Sequence, residues 1–213
     1  MVLQLDLKNP RRYVENLRPD VDLSGYNDYT DGDFGRLVAV TIDGYSILRA
    51  ISERERGGRK PERGHSDILT LFGKREIEDR ITFPMTEGGY VPVSGPDDKP
   101  FLRRDREEVI RNLQDMGDPG VPGLDGALCF DLDGRLYDTQ KMVILERDYN
   151  LNGSREEIIG IKGSIGTKHV AAAFASKKGL TAVALSHESG TVITFIGGKV
   201  IREFVYQPPK VEG

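Results

Sequence analysis

Cysteine is nearly missing from this chain: Cys129 is the only one among 213 residues. That excludes an internal disulfide and a multi-cysteine zinc site. Between Leu128 and Phe130 it reads as a small buried hydrophobe rather than a reactive thiol. Histidine is scarce as well, three in all, so His169 and His187 stand out. No run approaches the roughly 20 apolar residues of a membrane span. The opening Met1-Val2-Leu3-Gln4-Leu5-Asp6 carries neither the basic nor the apolar segment of a secretion signal. These absences predict a cytoplasmic protein with no membrane partner. An excess of positive charge is also lacking. The formal net charge of −4 argues against nucleic acid as a partner.

What is present organises as alternating apolar segments and punctuation. Asn9 and Pro10 fit the cap and first position of a short helix running to Leu17. Residues 18–34 are loop-like. Residues 36–42 and 45–51 flank Asp43-Gly44 and predict a β-hairpin. Residues 53–64 are rich in Arg, Lys, Glu and Gly and predict an exposed loop, with a basic contact patch as the sharper alternative. A short helix is expected within 66–81, a strand over 88–93 and a turn-rich connector over 95–100. Residues 104–116 form an amphipathic helical pattern, broken by the glycines and prolines of 117–123. Strands are expected over 125–130 and 135–145 around the Asp131–Gly134 turn. A helix over 167–178 ends at Gly179, followed by strands over 180–185, 191–196 and 199–206. The fold class is α/β, a mixed central sheet flanked by helices. Residues 1–34 read as an N-terminal extension, 35–206 as one domain with an insertion around 52–100, and 207–213 as a tail.

The most informative stretch is Gly166-Thr167-Lys168-His169, which opens the Ala-rich helix. The first backbone N–H groups of a helix lack internal partners and carry partial positive charge, which suits a phosphate. Thr167 alone would be an ordinary cap. Two basic side chains at that end are electrostatically misplaced unless an anion receives them. Upstream stands Asp125-Gly126-Ala127-Leu128, and downstream Ser186-His187-Glu188-Ser189-Gly190. Three other readings fail. The run 160–168 has Thr before Lys and no Gly-Lys-[Ser/Thr], so it is not a P-loop. Asp131-Leu132-Asp133-Gly134 lacks the later acidic positions of a calcium loop. Ser186-His187 are strand neighbours that point to opposite faces, unlike a nucleophile and its base.

Taken in order, Asp125-Gly126-Ala127, then Gly166-Thr167-Lys168-His169 on a helix, then a strand ending Ser186-His187-Glu188-Ser189-Gly190, resemble the diadenylate cyclase (DAC) domain family. The resemblance covers about residues 120–200. It implies an enzyme that condenses two ATP into the second messenger cyclic di-AMP, with pyrophosphate leaving and Mg²⁺ or Mn²⁺ assisting. It implies a face-to-face homodimer or higher homo-oligomer in which each protomer presents one ATP. By the same resemblance, Asp125 would help activate the attacking 3′-hydroxyl. Gly166, Thr167, Lys168 and His169 would hold the triphosphate, and Ser186 would contact the nucleotide. Gly126, Ala127 and Leu128 would line the nucleotide, and Glu188, with His169, would bind the metal. The family's Arg-His-Arg is here Lys168-His169-Val170, which loses a guanidinium fork and then a cation. Leu124 stands where many relatives have His, and the spacing between the two main motifs is long. The alternative is a silent relative that binds ATP or a cyclic dinucleotide as a sensor.

Overall fold

The side chain of Asn9 accepts from the Arg12 N–H at 3.1 Å, and Pro10 fills the first helical position, where no donor is needed. Helix α1 (Pro10–Leu17) thus starts where the sequence places it. The computed structural model describes residues 9–57, 67–84, 99–116, 126–145, 167–186 and 189–204. The strand expected at 88–93 and the break at 117–123 lie outside them.

The expected hairpin does not form. Residues 36–51 lie inside one 27-residue helix, α2 (Asp31–Gly57). Thr30 Oγ1 caps it by accepting from the Asp33 N–H at 3.1 Å, and Asp31 and Asp33 place negative charge in its first turn. Phe34, Leu37, Val38, Thr41, Tyr45, Leu48 and Ile51 are buried at three- and four-residue spacing, a helical stripe. Gly44, the expected turn residue, sits where the helix crosses the sheet. A Cβ there would lie 2.4 Å from Phe72 Cζ. The glycine serves close packing, not chain reversal.

Among the described residues, seven strands make one sheet: β1 (Ile68–Phe72), β2 (Thr82–Pro84), β3 (Ala127–Phe130), β4 (Leu136–Val143), β5 (Thr181–Ser186), β6 (Thr191–Ile196) and β7 (Lys199–Phe204). Their order is β2-β4-β3-β1-β5-β6-β7. β1 runs parallel to β3, and the other neighbouring pairs are antiparallel. The fold is therefore α/β with a mixed central sheet and flanking helices. The helix expected within 66–81 is α3 (Arg75–Ile81), but the apolar residues before it form β1. β1 lies within the stretch read as an insertion, yet it is the central strand of the sheet. Helices α4 (Arg106–Met116) and α5 (Thr167–Lys177) stand where their patterns put them.

Two helices cover the two faces at the centre. Thr41 of α2 shares a buried hydrogen bond with Thr181 of β5, while His169 of α5 meets Phe195 of β6 edge-on at 6.5 Å. Phe195 pairs with Ala182, the neighbour of Thr181, and strand alternation turns neighbours to opposite faces. Ala172, Ala173 and Ala175 of α5, and Ala182 and Ala184 of β5, are buried and small enough for close approach of helix to sheet. α5 ends in a Schellman turn: Gly179 takes φ +100° and the Leu180 N–H donates to the Ala175 carbonyl at 3.2 Å.

The N-terminal segment is part of this core. Tyr26 is fully buried; its hydroxyl lies 2.7 Å from the Ser176 carbonyl and 2.5 Å from that of Leu180, and accepts from the Gly197 N–H at 3.1 Å. Val14, Tyr29 and Phe34 are buried with it. At the other turn predicted from sequence, Asp131 Oδ1 accepts from the N–H groups of Asp133 and Arg135, both at 2.9 Å, and Gly134 takes φ +81°.

Candidate functional site

Strand register brings the motifs to one end of the sheet. Leu69 pairs with Ala127, so the starts of the parallel strands β1 and β3 lie side by side. Ile68 pairs with Leu185, so the antiparallel β5 ends there too, and Ser186 pairs with Thr191 at the start of β6. α5 turns back into β5 through Gly179, which puts the N-terminus of the helix at this same end. A contact fixes it there: Lys168 Nζ donates to the backbone carbonyl of Asp67, the residue that leads into β1. Gly126, Thr167, Lys168, His169 and Ser186 therefore belong to one region although sixty residues of sequence separate the first from the last. Asp125, Gly166 and Glu188 adjoin these residues in sequence and lie outside the described residues.

The first turn of α5 is graded in exposure. Thr167 is exposed, Lys168 half-buried and His169 buried at 7 %. Among the described residues, neither ring nitrogen of His169 has a hydrogen-bond partner. Burial lowers its pKa below the ordinary 6.5, opposed by the nearby charge of Asp67. The imidazole is held neutral, the form that can ligate a metal. Among the described residues no three His, Cys, Asp or Glu side chains gather around a common point. The described part of the donor set expected from sequence is thus one neutral, unpaired imidazole, which fits a metal ligand. Val170, the next residue, is buried in the core.

Gly126 has a structural reason of its own. A Cβ there would lie 2.5 Å from the carbonyl carbon of Gln140 and 2.7 Å from the Lys141 nitrogen. Gln140 adopts φ +57°, at the bulge where the β3–β4 register shifts. The space a side chain would occupy is filled by β4. Ala127 and Leu128 are buried at 1 % and 0 %, so what they present at this end is backbone.

Asp67 is the residue that sequence reasoning missed. Its carbonyl receives Lys168 and its charge acts on His169. The signal was the apolar run of residues 68–72 directly after it, which reads equally as a buried strand or part of a helix.

No family model matches this sequence, and no curated protein matches it. Solved structures with a likeness to this chain include two of low identity. One is a hypothetical membrane spanning protein from Bacillus cereus, at 15% identity and a TM-score of 0.48, covering 81% of this chain and 72% of that one. The other is a double mutant of DacA from Staphylococcus aureus, at 17% identity and a TM-score of 0.45, covering 78% of this chain and 86% of that one. No helix among the described residues is long and apolar enough to cross a membrane.

Proposed function

We propose that this protein is a nucleotidyltransferase that joins two ATP molecules into cyclic di-AMP. The observation that carries the reading is the gathering of Gly126, Thr167, Lys168 and Ser186 at one sheet end, with the N-terminus of α5 among them. Phosphoryl transfer asks a protein mainly for positioning and neutralisation of charge. The N–H groups at the start of α5 and the ammonium of Lys168 supply both for a triphosphate, with Thr167 beside them and Gly166 next in sequence.

In this reading Ser186 orients the nucleotide, and Asp125 accepts the proton of the 3′-hydroxyl as that oxygen attacks the α-phosphorus of the second ATP. The bond from that phosphorus to the bridging oxygen breaks and pyrophosphate leaves; a second, identical attack closes the ring. Glu188 and His169 would hold Mg²⁺ or Mn²⁺, which supplies charge neutralisation and lowers the pKa of the hydroxyl. The two ATP molecules come from two protomers arranged face to face, so the active form is a homodimer or larger homo-oligomer.

Asp125→Asn tests the assignment. It keeps shape and removes the base, so ATP binding should persist while cyclic di-AMP formation falls about 10²- to 10⁴-fold. Turnover that survives the change contradicts the role given to Asp125.

A further inference from the structure

Ser52 is a polar side chain buried at 1 % on α2, the helix that covers the sheet face opposite α5. A serine inside a helix commonly turns its hydroxyl back to the carbonyl one turn earlier, as Thr41 does here with Leu37. Ser52 reaches out of the helix instead. Its hydroxyl donates to the carbonyl of Gly190 at 2.7 Å, across 138 residues of sequence. Gly190 is the hinge of the turn between β5 and β6. It takes φ +67°, which favours glycine, and its N–H donates to the Ser186 carbonyl at 2.7 Å. One residue therefore ties Ser186 on one side and α2 on the other.

The platform beneath Ser52 is fixed. Three residues earlier, the Arg49 guanidinium lies 4.7 Å from the centre of the Phe204 ring on β7 and pairs with Glu53 at 2.9 Å. Ile51 and Leu48 on the same helix are fully buried. A turn held from behind by such a helix keeps one position, whereas a turn with an unpaired buried carbonyl shifts to find a donor.

We propose that Ser52 is a positioning residue of the nucleotide site: by holding the Gly190 carbonyl it sets the turn that begins at Ser186. The inference rests on the nucleotide-site reading above. It adds to the site a residue of α2, which no motif of the sequence connects with it.

Amide hydrogen exchange and ATP binding by calorimetry, on wild type, Ser52→Ala and Ser52→Thr, test it. Ser52→Ala should speed exchange at Gly190 and weaken ATP binding, each by about ten-fold, the effect of one lost buried hydrogen bond. Ser52→Thr keeps the hydroxyl and should restore both. Exchange at Gly197, which is bonded to Tyr26, should stay at its wild-type rate in both variants. Faster exchange at Gly190 with unchanged ATP affinity overturns the positioning role, as does equal loss of affinity in both variants. Unchanged exchange at Gly190 in Ser52→Ala overturns it too. Failure of the wild type to bind ATP overturns the nucleotide reading itself, while the exchange data still report whether Ser52 holds the turn.

Discussion

Lys168 of α5 donates its ammonium to the backbone carbonyl of Asp67, the residue that leads into the central strand β1. One side chain thus joins the N-terminus of the helix to the sheet end where β3 begins and β5 stops. It also brings a cation to a place where the helix dipole alone would repel one.

Removing that cation should weaken anion binding more than it weakens the fold. Lys168→Met is expected to lower ATP affinity about ten-fold, as the loss of a charge-assisted contact would. Lys168→Arg keeps the charge and should retain most of the affinity. Calorimetric titration with ATP separates the two, and equal affinities for Met and Lys would remove Lys168 from the site.

Gly126 makes a sharper structural prediction. Gly126→Ala pushes a methyl against the Gln140–Lys141 backbone of β4, which has little room to yield between β2 and β3. The expected cost is about 1–3 kcal/mol of unfolding free energy, measured by urea denaturation. A neutral effect would mean that the β4 bulge relaxes freely.

Tyr26→Phe should cost a similar amount, about 1–3 kcal/mol, because the Gly197 N–H loses its buried acceptor. The same variant should leave ATP affinity within two-fold of wild type, since Tyr26 ties down the C-terminal end of α5 and not its first turn.

Most of this architecture is legible in the sequence, and the exceptions have physical reasons. The Asn9-Pro10 start, the Gly179 stop and the Asp131–Gly134 turn depend on local backbone chemistry, which sequence reports directly. The error over residues 36–51 came from Asp43-Gly44, a dipeptide that serves hairpins by freeing the backbone. Here its glycine serves the Phe72 ring, a partner 28 residues away that no local pattern announces. The helical stripe from Phe34 to Ile51 was present all along and outweighs the dipeptide in the fold. At the site, the anion-binding character of residues 167–169 was readable, whereas Asp67 and Ser52 enter only through strand register and a bond across the sheet end.

The sole thiol gives a dependence on pH. Burial, with Glu78 and Asp138 nearby, pushes the Cys129 pKa well above its ordinary 9.0. The native thiol stays protonated at a pH where the unfolded chain ionises. Unfolding therefore releases a proton above about pH 9, and stability should fall as pH rises through that range. Cys129→Ala removes this part of the slope. At pH 8, alkylation of the native protein should be at least roughly 100-fold slower than in urea. Equal rates would place the thiol at the surface.

The most direct measurement is incubation of the purified protein with ATP and Mn²⁺ or Mg²⁺, with products read by mass spectrometry and GTP in parallel. The account predicts cyclic di-AMP and pyrophosphate from ATP. ATP that binds and remains unchanged contradicts the catalytic claim and leaves a nucleotide sensor. No binding at all contradicts the site.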